Sequence, residues 1–168
     1  GSVQRDLYSK DETASPTISN DALLLTMLVG AWENRDVAIA DVDGAYVHAD
    51  MDDFTLLILE GNSVKIMCDV NADYEKFVCV ENGKKVLYLR LLKDLYGCVK
   101  SSLLWYELFS NTLKDMGFKL NPYDECVANK MINGKQCTIA WHVDDSKISH
   151  VDKNVVTDVI KQIEARFS

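Results

Sequence analysis

Two Asn-Gly dipeptides constrain this chain more than any other feature in it. Asn82-Gly83 lies between Phe77-Val78-Cys79-Val80-Glu81 and Lys84-Lys85-Val86-Leu87-Tyr88-Leu89, and Asn133-Gly134 lies between residues 127–132 and 135–142. A type I′ turn needs positive φ at both central residues, which Asn and Gly tolerate. Both sites therefore predict β-hairpins, and the sheets they belong to are mainly antiparallel.

The outgoing strand of the second hairpin runs into Trp141-His142-Val143-Asp144-Asp145. Residues 138–141 and 146–149 read as short strands joined by a tight turn at Val143-Asp144. Neighbouring strand residues point to opposite faces, so both acids share a cleft only if the backbone turns between or beside them. An Asp-Asp pair alone fits a surface turn equally well. A further acid, Asp41, ends the apolar run 36–40, which predicts a buried strand. Carboxylates at neighbouring strand ends repel unless a divalent cation lies between them. Hard oxygen ligands suit magnesium, and two such ions clamp the attacking and leaving oxygens of an in-line phosphoryl displacement. Gly44-Ala45-Tyr46 follows directly. It is either an ordinary turn or a place where backbone N–H groups approach a ligand closely.

The other segments fill in a fold. Gly1-Ser2 reads as the scar of a removed tag, and polar residues 3–18 as an extended arm. Ser19 or Asn20 caps a predicted helix over 21–33, with Leu23, Leu24, Met27, Leu28 and Ala31 forming one face to lay on a sheet. A strand is predicted over 54–59 and a short helix over 64–69. A loop over 95–100 leads into a helix from Ser101 or Ser102 to Met116, stopped by Gly117. Leu104, Trp105, Leu108, Phe109, Thr112 and Leu113 give that helix a broad apolar stripe. A last amphipathic helix spans 154–167. The order predicts an α+β fold with a mostly antiparallel sheet and helices packed on one face.

Composition narrows the function. The chain has 168 residues, 48% of them hydrophobic, enough for one domain or two small lobes with a real core. Its five cysteines are odd in number and form no Cys-x-x-Cys pair, which predicts reduced thiols in an intracellular, unsecreted protein without a zinc site. No apolar run approaches the ~18 residues a membrane span needs, so no membrane partner is expected. The net charge of −8 predicts poor binding to nucleic acid by this chain alone. Asp41, Asp43, Asp50, Asp52 and Asp53 fall within thirteen positions. Such a cluster can serve a metal, although the last three also describe a solvated turn.

Three stretches then fit together. Asp41-Val42-Asp43-Gly44-Ala45-Tyr46 resembles the first catalytic motif of reverse transcriptases. Leu95-Tyr96-Gly97 through Trp105-Tyr106 resembles the loop–helix motif of copia-type (Ty1/copia) retrotransposon polymerases. His142-Val143-Asp144-Asp145 resembles their aromatic-Val-Asp-Asp hairpin, and Gly117-Phe118 and Asn121-Pro122-Tyr123-Asp124 are similar too. The resemblance runs from Gln4 onward. It implies a reverse-transcriptase palm with partial fingers over residues 3–168, with thumb, primer grip and ribonuclease H absent.

The implied activity is RNA-directed DNA synthesis. Nucleotides from dNTPs are added to a primer on an RNA or DNA template, in a cytoplasmic particle or the nucleus. The implied partners are the thumb, ribonuclease H and integrase of the same polyprotein. Asp41 and Asp144 would hold two Mg2+ ions, for which Mn2+ substitutes, with the Val42 carbonyl as a further ligand and Asp145 in support. Asp43, Gly44 and Ala45 would meet the nucleotide. Tyr46 would lie beneath its sugar as a steric gate, unless it is simply a core tyrosine. His142 and Val143 would sit at the primer end.

The chain departs from the family pattern in two places. Gly97-Cys98-Val99-Lys100-Ser101-Ser102-Leu103 stands where Gly-Leu-Lys-Gln-Ala-Pro-Arg is usual, which puts Lys100 at the position of a nucleotide-contacting glutamine. His142 replaces the usual tyrosine. These departures suit an alternative: a domesticated or decayed polymerase fold kept for binding. A two-metal phosphohydrolase on an unrelated fold is a third reading and gives Tyr46 no role.

Overall fold

In the computed structural model, which describes residues 8–9 and 12–167, both Asn-Gly turns form. Asn82 and Gly83 have φ of 50° and 75°, and Asn133 and Gly134 have 51° and 74°. The predicted tag scar at 1–2 and the arm residues 3–7, 10 and 11 lie outside the described residues.

The elements in chain order are α1 (Asn20–Trp32), β1 (Asp36–Ala40), α2 (Ala45–His48), β2 (Leu56–Glu60) and α3 (Asn62–Val70). A 3-10 helix (Ala72–Phe77) follows, then β3 (Cys79–Glu81), β4 (Lys84–Arg90), α4 (Ser101–Asp115) and β5 (Lys119–Asn121). The chain ends with β6 (Asp124–Ile132), β7 (Lys135–His142), β8 (Asp145–His150) and α5 (Lys153–Phe167). These elements make two compact units: residues up to Ala49 together with those from Asp94 onward, and the intervening Asp50–Lys93.

The first unit is built on an antiparallel sheet of order β1-β8-β7-β6-β5. Cys137, Ile139 and Trp141 alternate along β7 toward one face, where Ile139 pairs with Ile148 of β8. Against that face lie Trp105, Phe109 and Leu113 of α4 and Val155, Val159 and Ile163 of α5, all buried. Phe109 meets the Trp141 ring edge-on, centroids 5.5 Å apart. Gly117, at φ 85°, ends the turn after α4 as the sequence predicts.

Two predictions about this unit need correcting. The first concerns α1. Its cap forms, with Ser19 Oγ accepting from Ala22 N at 3.2 Å, but its expected sheet-facing residues Leu24, Met27 and Leu28 are exposed. Gly30 is its buried residue, and Lys147 Nζ of β8 donates to Thr26 Oγ1 of the helix at 3.1 Å. Lys147 alternates with Ile148, so α1 lies over the face opposite α4 and α5, and the helices cover both faces. A segment as uniformly apolar as Ala22–Leu25 and Met27–Val29 lets periodicity choose no face. The second correction concerns β1, predicted to be buried. It is an edge strand, and Val37 and Ile39 are exposed. The short strand β5 and the helical turn α2 were not anticipated.

The second unit is a smaller sheet of order β2-β4-β3, in which Val86 and Leu87 of β4 are buried and Val64 of α3 is the one buried residue of its helix. Strand β2 starts two residues later than predicted. The predicted strand over 77–81 is shortened to Cys79–Glu81, because Asn71 accepts from Asp73 N at 3.0 Å and starts the 3-10 helix that consumes Phe77. All five cysteines are free thiols. Among the described residues no helix is long and apolar enough to cross a membrane.

Candidate functional site

The candidate site sits at one end of the first unit's sheet. Ala40, the last residue of β1, pairs with Ser146 of β8, so Asp41 emerges beside Asp145. His142 and Asp145 close the β7–β8 hairpin and leave Val143 and Asp144 as its turn. Val143 has φ 58°, a region that a β-branched residue rarely enters. The buried indole of Trp105 reaches this turn, Nε1 donating to the Val143 carbonyl at 2.7 Å.

The acids share an electrostatic field. The Asp41 carboxyl is raised above the ordinary aspartate value, first by lost hydration and then by the charges of Asp144, Asp145 and Asp43, while the Val42 N–H pulls it down. Asp41 and Asp145 are exposed and Asp144 is half-buried. Beside Asp41 opens a cleft of about 400 Å3 lined by Ala40, Asp43, Glu164 and Phe167, among others. Among the described residues, no three His, Cys, Asp or Glu side chains assemble into a ready-made metal-binding group. The donors present nevertheless fit magnesium, which takes one or two carboxylates and completes its shell with water and phosphate. Besides lost hydration, the charges of Asp144, Asp145 and Asp43 raise the Asp41 carboxyl, and a divalent cation would relieve that repulsion.

Other residues singled out in the sequence take defined places nearby. Gly44, at φ 64°, precedes α2, and a Cβ there would stand 3.2 Å from Val47 Cγ2, so the turn itself requires glycine. Val42 and Ala45 are buried in the core. His48 Nε2 donates to the Asp43 carbonyl at 3.1 Å and its ring meets Phe167 edge-on. Tyr46 is half-buried, with its ring centroid 4.5 Å from that of Tyr96 and its hydroxyl 3.5 Å from Ser102 Oγ. His142 is exposed at the end of β7. Lys100 caps the start of α4, its carbonyl accepting from Leu103 and Leu104, and its ammonium lies 5.3 Å from the Tyr8 ring centroid.

Three neighbours carry weight that their sequence positions did not announce. Tyr96 stands beside the acids: burial raises its phenol first, followed by the charges of Asp144, Tyr46 and Asp41. Its only sequence signal was membership in Leu95-Tyr96-Gly97. Asp94 is fully buried and accepts from Leu95 N at 2.8 Å and Ser101 Oγ at 3.0 Å, which fixes the loop that presents Tyr96. Trp105 belongs in the sequence to an apolar stripe, which does not reveal its N–H.

With this geometry in hand, comparisons with known proteins are informative. A family model described as reverse transcriptase (RNA-dependent DNA polymerase) matches residues 1–168. The retrovirus-related Pol polyprotein from transposon TNT 1-94 of Nicotiana tabacum is 23% identical over 168 residues, covering 99% of this chain. The chain spans 11% of that polyprotein's length. No solved structure matches.

Proposed function

The chain belongs to the reverse transcriptase (RNA-dependent DNA polymerase) family, and from that premise we propose that the acids at Asp41, Asp144 and Asp145 serve RNA-directed DNA synthesis from deoxynucleoside triphosphates in a copia-type element. One observation carries this reading: β1 pairs with β8 through Ala40 and Ser146, which sets Asp41 beside Asp145 and the Val143–Asp144 turn although these acids lie more than a hundred residues apart in sequence. Two magnesium ions, or manganese in their place, held by Asp41, Asp144 and the Val42 carbonyl, would activate the primer 3′-hydroxyl and neutralise the departing pyrophosphate. The chain's own part is to position the reactants. The backbone N–H of Gly44, with Asp43 beside it, receives the triphosphate, while Ala45, expected from the sequence to do the same, is fully buried and backs the turn. Tyr46, backed by Tyr96, supports the sugar and excludes a 2′-hydroxyl. His142 and Val143 flank the primer end, and Lys100 approaches the nucleotide from the start of α4. Template grip comes from other regions of a longer polyprotein, since 18 basic residues against 26 acidic ones bind phosphate weakly.

A non-catalytic binding module is the competing reading, favoured by Lys100, Leu103 and His142 standing where the family pattern has other residues. One experiment separates them. Magnesium or manganese should raise the melting temperature, because ions bound only by the folded site stabilise it by linkage. Asp144→Asn should remove most of that rise. In a longer polyprotein carrying this chain, the same change should abolish primer extension. A melting temperature that ignores metal, or an Asp144→Asn protein that extends primers normally, would overturn the catalytic reading.

A further inference from the structure

We propose that Trp105 is a positioning residue of this site: its indole N–H holds the Val143–Asp144 peptide in the orientation that presents the Asp144 carboxylate beside Asp41. This inference rests on the reading of Asp41 and Asp144 as metal ligands, and it names the part that keeps one of them in place.

The Val143 carbonyl and the Asp144 nitrogen belong to one planar peptide unit. A group that fixes the carbonyl oxygen therefore fixes the plane from which Asp144 departs. Trp105 Nε1 meets that oxygen at 2.7 Å, at the short end of the N–H···O range. The donor is itself rigid. Trp105 is 1% exposed, its ring stacked on Phe109 at 5.3 Å and met edge-on by Phe167 at 5.2 Å. The α4 and α5 helices thus lock the indole before it reaches the hairpin.

The acceptor needs the help. Positive φ at the first central residue of a two-residue turn is a conformation that favours glycine. Valine occupies the position instead. Left to local preference the turn would relax to another conformation and carry Asp144 with it. Such a conflict between residue and backbone, held by a buried hydrogen bond, is characteristic of functional constellations. Groups that orient metal ligands without touching the metal typically change metal affinity 10–100-fold when removed.

The test uses the 168-residue chain. Trp105→Phe and site-specific replacement of Trp105 by 3-benzothienylalanine, which keeps the bicyclic ring and lacks the N–H, remove the donor. Leu113→Val, a core change on the same helix, serves as a stability control. Hydrogen exchange is read first, without metal. The Trp105 indole N–H should exchange slowly in the unmodified chain. Both donor-free proteins should lose protection at amides 142–146 while keeping it around Asn133-Gly134, and Leu113→Val should show no such local loss. Mn2+ titration should then give a dissociation constant about tenfold weaker in the donor-free proteins than in Leu113→Val. A freely exchanging indole N–H, or protection lost evenly along the sheet, would overturn the proposal. So would unchanged Mn2+ affinity in the donor-free proteins when Asp144→Asn abolishes it. If the unmodified chain bound no Mn2+, the metal reading would fall, while the exchange pattern would still decide whether Trp105 holds the turn.

Discussion

Strand β7 ends in two turns built on opposite terms. At its start, Asn133 and Gly134 hold φ of 51° and 74°, a conformation both residue types favour. At its end, Val143 holds φ 58°, which its branched Cβ disfavours, and Asp144 follows it. The first turn is a local device: residues 133 and 134 specify it without help. The second is a tertiary device, held by an indole from a helix that begins at Ser101. The comparison separates a turn chosen to close a hairpin from one held in place to present a side chain.

The sharpest way to break this comparison is to exchange the residue preferences. Gly134→Val forces a branched residue into the left-handed region, and since nothing lies within 4 Å of the added Cβ, the cost is conformational. It should be about 1–3 kcal/mol. Val143→Gly relieves roughly 1–2 kcal/mol of left-handed strain. It also gives up the packing of a half-buried valine and adds roughly 0.5–1 kcal/mol of unfolded-state entropy. Its net effect should stay within about 1 kcal/mol of zero. Urea unfolding of both variants checks the asymmetry. A Val143→Gly gain as large as the Gly134→Val loss would mean that the valine packs against nothing of value.

Function should sort the same two turns the other way. Val143→Gly should restore several-fold of the Mn2+ affinity lost in Trp105→Phe, because glycine takes up the turn without the indole's help, whereas Gly134→Ala should restore none. Calorimetric titration of the two double variants side by side reads this directly. Equal recovery in both would mean that the gain does not come from the Val143 turn.

What the sequence disclosed follows the same division between local and tertiary causes. The Asn-Gly turns, the Ser19 cap and the Gly117 stop were legible because each is decided by a few adjacent residues. The candidate acids were legible through the order of Asp41 and Asp144-Asp145 and the motifs around them. The edge position of β1 was not, since an apolar run such as Val37-Ala38-Ile39-Ala40 suits a central strand equally well. The face on which α1 lies was hidden because leucines surround that helix. The 3-10 helix over Ala72–Phe77 depended on one Asn71 side chain. The Trp105–Val143 bond joins residues 38 positions apart, and a stripe of apolar residues gives no hint that one N–H leaves the core.

The smallest expected effect is the pH response of Asp41, and its salt dependence tests whether the acids share one field. The folded carboxyl is raised above the ordinary value of 3.8, so between that value and the folded one the folded chain holds more protons than the unfolded chain. Stability therefore falls as pH rises through this window. What Asp41 contributes is fully present below 3.8 and is lost as pH climbs through the folded value. Asp41→Asn carries no charge to lose. In metal-free buffer the melting temperature of the unmodified chain should drop relative to Asp41→Asn as pH rises above 3.8. The gap should be small because Asp41 is exposed, and should narrow further in high salt, where surface charges are screened. Adding magnesium near neutral pH should recover the unmodified chain and leave Asp41→Asn almost unchanged, since the ion relieves the same repulsion. A difference between the two proteins that stays flat with pH would show that Asp41 stands apart from Asp144 and Asp145. The turn at Val143 would then be presenting its acid to something else.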